Sequence, residues 1–226
     1  MIDWLTVHGA LRPFYDDVLL GAGVTLYTSA IAFGVGLVFG LVLLMLRVAA
    51  GPVARGLVAI YVSAIRGTPL LIQLLIAYYV IPSLLDVTVS PITAGILALA
   101  LNTAAYGSEI MRAALSTIAP GQAAAAKALG MRSRHVWFQV LMPQMLQRSI
   151  PPLTNEFTVL LKASSLLSII AVNDLATVAR NATLQSDLPL QVFTATAAVY
   201  FVMLLGASSL SRVMERRFAR MLPNAH

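Results

Sequence analysis

Apolar runs separated by short polar clusters dominate the chain from Gly21 onward. Residues 21–46 are uninterrupted between Asp17 and Arg47, long enough for a tilted transmembrane helix. A second run covers residues 57–85 and is broken by Arg66-Gly67-Thr68-Pro69. Further runs at 92–110, 153–170 and 190–210 bring the predicted spans to five, in a single all-α domain over residues 1–226. Two long connections remain, 111–152 and 171–189. The opening MIDWLTVHGALRPFYDD lacks the basic and apolar regions of a cleaved signal peptide. It reads instead as a short amphipathic segment resting at the membrane interface.

Composition sharpens this picture. Of 226 residues, 59% are hydrophobic and only 11% charged, with a mean hydropathy of +0.85. So little charge cannot cover a soluble surface, so the chain is expected to be an integral membrane protein. Cysteine is absent, which excludes disulfides and thiolate metal sites.

The net charge of +6 is explained by its distribution. With the amino terminus outside, Arg47, Arg55, Arg112, Lys127, Arg132, Arg134, Arg148, Arg212, Arg216, Arg217 and Arg220 share one side. The other side carries Arg12 and Arg180 among Asp3, Asp16, Asp17, Asp86, Asp174 and Asp187. That is the positive-inside pattern, amino terminus out and carboxyl terminus in, and it needs no nucleic-acid partner.

Within the loop 113–150, GQAAAAKALGMRSRHVWFQVLMPQ looks soluble. Pro120 suits a first helical turn, the alanine run favours helix, and Gly130 stands where a helix ends in a left-handed residue. A short cytoplasmic helix, a glycine turn and a second helical arm follow. Small side chains at Gly121, Ala124, Ala125 and Ala126 let a partner approach closely. Met131, Val136, Trp137 and Phe138 offer apolar anchors. On these residues alone an amphipathic helix lying on the inner leaflet, drawn by Lys127, Arg132 and Arg134, is an equal alternative.

Polar residues inside spans are costly and usually face a bundle interior or a wet cavity. Thr68 and Gln73 lie at the Gly-Pro break, where freed backbone groups can meet a substrate or another helix. Asn102, Tyr106 and Glu109 follow at spacings of four and three, on one face of the third span. A carboxylate there can meet a cationic substrate, or simply pair with Arg112. Ser164 and Ser165 sit in the fourth span and can serve a pathway or bond back to their own helix. Arg66 is expected near the cytoplasmic end, snorkelling or paired with Glu156 or another acid.

These segments resemble the permeases of ATP-binding-cassette importers, specifically the polar-amino-acid (histidine/glutamine/arginine permease) family. The loop resembles that family's cytoplasmic EAA loop. GAGVTLYTSAIAFGVGLVFGL, YVSAIRGTPLLIQLLIAYYVIP, NTAAYGSEIMRAAL and IPPLTNEFTVLLKASSLLSIIAVNDL match in order, so the likeness spans nearly the whole chain. Two departures stand out: Ala124 replaces the loop glutamate, and Ala163 stands where relatives often carry aspartate.

The resemblance implies a type I importer permease with a coupling helix, with Gly121, Ala124, Ala125, Ala126, Leu129, Gly130 and Met131 at the ATPase contact. It implies a second permease subunit, identical or paralogous, of which Ala124 favours the paralogue. Cytoplasmic ATP-binding subunits would hold ATP and Mg, and a periplasmic amino-acid-binding protein would deliver cargo. The implied location is the bacterial inner membrane. This chain has no Walker A pattern, no nucleophile triad, and only scattered histidines (His8, His135, His226), so neither an enzyme nor a resident cofactor or metal is expected. An ion-coupled secondary transporter or a membrane scaffold are the other classes, though no two-half repetition supports the first.

Overall fold

The structure, a computed structural model, describes residues 4–219. Among these the chain forms eight helices. α1 spans Trp4–Ala49 and α2 Pro52–Gly67. α3 is Leu70–Leu85, α4 Pro91–Ser116 and α5 Pro120–Ala128. α6 is Ser133–Ile170, α7 Leu175–Ser186 and α8 Pro189–Ala219.

Three single helices are long and apolar enough to cross a membrane, or four spans if the bent α2–α3 pair counts as one. α4 falls outside that set although it has 26 residues. Its polar positions Asn102, Tyr106, Ser108 and Glu109 lower its mean hydropathy, and its buried Ala94, Ala98, Ala104, Ala105 and Gly107 place small side chains at the centre of the fold. Those small residues let α1 approach. A Cβ on Gly36 would lie 2.7 Å from the Ala100 carbonyl oxygen, and one on Gly40 would lie 3.0 Å from that of Ala104. The α1–α4 seam is accordingly the most extensive contact in the fold.

Several sequence expectations are revised. The opening stretch, where described, is not a separate segment but the amino-terminal extension of α1. At 1.5 Å per residue, the 46-residue helix is about 69 Å long, and Leu11 and Phe14 pack against Ala179, Ala182 and Val192. The second run bends by 108° between α2 and α3, because Pro69 has no N–H to offer and Thr68 is extended. The connection 111–152 is largely helical: α4 runs to Ser116, and α6 already begins at Ser133 and passes through Pro151 and Pro152.

π-helical segments at Ile76–Val80 and Val136–Leu141 each end two residues before a proline, Pro82 and Pro143. The wider turn there reassigns carbonyls that a proline cannot serve. The connection 171–189 holds α7, whose start is capped by Asp174 accepting from the Thr177 N–H. Ala171 and Asp187, with φ of 59° and 55°, turn the chain at either side of it.

Along α1, Asp16 and Asp17 lie towards the amino end, where Arg12 stands 3.9 Å from Asp16. Arg47 lies in the last turn of α1. Asp17 lines a polar recess with Asn173 and Asn181 near its other end. The carboxyl-terminal basic segment beyond Ala219, including Arg220, lies outside the described residues.

Candidate functional site

α5 emerges at the arginine-rich end between α4 and α6. Its carboxyl end closes as a Schellman motif: Gly130 N–H donates to the Lys127 carbonyl (2.9 Å) and Met131 N–H to that of Ala126 (3.1 Å). The motif requires the left-handed backbone of Gly130, whose φ is +80°. Ala126 is buried towards the π-helical turn of α6. Gly121, Ala124, Ala125 and Gly130 face outward, Leu129 is 84% exposed, and Met131 is half-buried. Val136 is not the surface anchor the sequence suggests. It is 3% exposed and underpins α5, whereas Phe138 remains 43% exposed.

The second group of residues gathers at the α2–α3 break. Gln73 Nε2 donates to the Ile65 carbonyl (2.7 Å), the Thr68 carbonyl (3.0 Å) and the Thr68 hydroxyl (3.0 Å). It thereby satisfies carbonyls that the Pro69 break leaves without helical donors. The Thr68 hydroxyl donates in turn to the Ala64 carbonyl (2.8 Å). Gln73 Oε1 accepts from Asn102 Nδ2 (3.1 Å), tying the break to α4. One turn along α4, the Tyr106 ring lies 5.3 Å from the Arg66 guanidinium carbon.

Among the described residues, Arg66 stacks on Tyr106 and forms no ion pair, and it remains exposed. Glu156, from α6, feels the Arg66 charge across the same region. Thr68, Gln73, Asn102 and Tyr106 thus form one polar belt, with Arg66 at its open side.

Glu109 stands apart from that belt. One carboxylate oxygen accepts from Arg47 Nη1 of α1. The other accepts from Arg112 Nε (2.9 Å) and Nη2 (2.7 Å). This clasp joins α1 to α4 at the arginine-rich end, and the sequence shows only its Arg112 half. Ser164 and Ser165 lie elsewhere, where the helix tightens into a 3-10 turn. Their hydroxyls donate to Leu161 (2.8 Å) and Lys162 (2.9 Å) carbonyls. Ser164 is fully buried, while Ser165 borders an open groove with Lys162 and Tyr200.

An exposed, glycine-capped helix thus stands at the arginine-rich end of an all-helical bundle with three or four candidate membrane spans. Residues 28–220 match the family described as binding-protein-dependent transport system inner membrane component, and the chain belongs to that family. It is 35% identical over 220 residues to the L-cystine transport system permease protein TcyB of Bacillus subtilis, covering 97% of this chain and 92% of that one. It is 31% identical over 216 residues to the glutamine transport system permease protein GlnP of Escherichia coli K12, covering 95% and 97%. Among solved structures it is similar to an amino acid ABC transporter crystallised with histidines, at 33% identity and a TM-score of 0.85. That likeness covers 96% of this chain and 99% of the other.

Proposed function

We propose that this chain forms half of the translocation pathway of an ATP-driven importer for a polar amino acid or close derivative, cationic ones included. Relatives named for L-cystine and glutamine transport support the cargo class. The observation that carries the reading is α5, exposed and capped at the arginine-rich end. It is the coupling helix, presenting Gly121, Ala124, Ala125, Leu129 and Gly130 to a cytoplasmic ATPase subunit, with Ala126 and Met131 fixing its base.

Five spans cross the inner membrane with the amino terminus outside: α1, the bent α2–α3 pair, α4, α6 and α8. The arginine-rich end then faces the cytoplasm. α4 completes the five because its length suffices and its neighbours, not lipid, cover its small residues.

The polar belt of Thr68, Gln73, Asn102 and Tyr106 borders the pathway, open towards a second permease subunit. Apart from the belt, Ser165 faces the pathway from the groove it shares with Lys162 and Tyr200, with buried Ser164 behind it, and Glu109 marks the inner mouth of the pathway. A binding protein delivers the cargo outside, and ATP and Mg are held by the partner ATPase. The missing loop acid at Ala124 favours a paralogous second subunit.

The test is co-purification from native membranes, comparing wild type with Gly130→Asp and assaying ATP hydrolysis in the eluate. Wild type is expected to carry an ATPase subunit and the variant to lose it. Absence of an ATPase from wild type under every mild detergent condition overturns the coupling reading.

A further inference from the structure

A groove of about 370 Å³ runs between the inner end of α1 and the start of α6. Met45, Val48, Ala49, Trp137 and Phe138 wall it, and Ser133 and Arg134 complete the lining. Its walls are apolar and partly uncovered: Val48 is 45% exposed and Phe138 43%. The Arg134 guanidinium lies 5.9 Å from the Phe138 ring centroid and, among the described residues, meets no carboxylate.

No acid is close in sequence either. From Met111 to Ile170 the single carboxylate is Glu156, far along α6 from the groove. α6 also begins without a side-chain cap, so the positive end of its dipole adds to the Arg134 charge. The depth is fixed by α1. With the arginine-rich end inward, Arg47 in its last turn and Arg55, whose Nε donates to the Arg47 carbonyl (3.3 Å), would lie at the headgroup level.

The geometry points to a binding site for one anionic phospholipid of the inner leaflet. Its acyl chain lies along Met45, Val48 and Phe138. Its phosphate meets Arg134 and the uncapped start of α6. An apolar slot continuous with a basic, acid-free mouth at the membrane boundary fits a lipid better than a water-soluble partner, which would leave the slot unfilled. The proposal rests on the inward orientation of the arginine-rich end and is independent of whether α5 grips an ATPase.

Native mass spectrometry of the full transporter complex, purified in a mixture of phosphatidylglycerol and phosphatidylcholine, tests it. Wild type is expected to retain phosphatidylglycerol over phosphatidylcholine by about five-fold or more. Arg134→Gln removes that preference, and Val48→Trp, which fills the slot, lowers retention of both lipids. Equal retention of the two lipids by wild type, the signature of annular lipid alone, overturns the proposal. So does unchanged phosphatidylglycerol retention in both variants. Loss of the ATPase subunit from Arg134→Gln with its lipid preference intact also overturns it, assigning Arg134 to an acidic protein surface.

Discussion

The Arg148 guanidinium on α6 donates from Nη1 to both the carbonyl (2.6 Å) and the hydroxyl (2.8 Å) of Thr117, the residue that closes α4. α5, the proposed coupling helix, lies between these two residues in sequence, so one side chain joins its outgoing and returning arms. A displacement of α5 is thereby expected to reach both α4, which carries Asn102 and Tyr106, and α6, which carries Glu156. Arg148→Ala is expected to leave the two arms free and to raise the ATP hydrolysed per substrate imported several-fold. Arg148→Lys, which keeps one donor, recovers part of the coupling. The check is paired transport and hydrolysis in proteoliposomes. An unchanged ratio in Arg148→Ala would reduce the residue to a local cap.

The α1–α4 seam makes a sharper stability prediction. A Cβ on Gly36 would stand 2.6 Å from Thr103 Cβ and 2.7 Å from a backbone oxygen that cannot rotate away, whereas Gly34, two residues earlier, meets nothing within 4 Å. Gly36→Ala is expected to destabilise the bundle by about 1–3 kcal/mol through overpacking. Gly34→Ala is neutral or slightly stabilising, since alanine is the better helix former. Thermal unfolding in detergent separates the two. Equal midpoints would mean the helices part without cost.

Glu109 is gripped by Arg47 and Arg112 together, and removing its charge leaves two cations facing each other. Glu109→Gln is expected to lower the thermal midpoint by a few degrees, an effect that high salt reduces because Arg112 is partly exposed. Arg47→Gln combined with Glu109→Gln recovers part of the loss by removing one of the facing charges. Uptake measured on the assembled fraction decides its second role. A fall beyond the loss of assembled complex places Glu109 in the cargo path.

What the sequence revealed and what it hid divide by physical cause. α5 and its glycine turn were legible because alanine propensity, Pro120 and Gly130 act locally. The long apolar runs and the arginine asymmetry were legible because the membrane imposes them residue by residue. The continuity of α6 through Pro143, Pro151 and Pro152 was not, since tertiary packing and a π-turn override the usual reading of proline as a stop.

α7 was hidden for a different reason. Its Asp174 cap reads as loop until α1 supplies Thr25, whose hydroxyl accepts from the Leu175 N–H (3.1 Å). At the candidate site, Gln73 and Asn102 were each singled out, but their bond (3.1 Å) depends on the 108° bend that brings α3 onto α4. The pairing of Arg47 with Glu109 is not legible in the sequence, because the two are 62 positions apart.

The acid-rich end supplies a pH prediction. Asp174 is fully buried beyond the spans, with one oxygen accepting from Thr177 and the other without a partner. Burial pushes its carboxyl above the ordinary aspartate range, outweighing the pull of the Thr177 N–H. The Tyr200 phenol on α8 and Thr25 on α1 share this surrounding.

Because the folded value exceeds the unfolded one, the contribution of Asp174 to stability is fullest below the ordinary aspartate value of about 3.9 and is lost as pH rises through the raised value. Asp174→Asn keeps a capping oxygen for the Thr177 N–H and removes the titration. The wild-type thermal midpoint is therefore expected to fall relative to the variant as pH rises from about 4 towards neutrality. Melting curves of both proteins in one detergent across that range decide it. Parallel curves would show that water reaches Asp174 and that its charge costs the fold nothing.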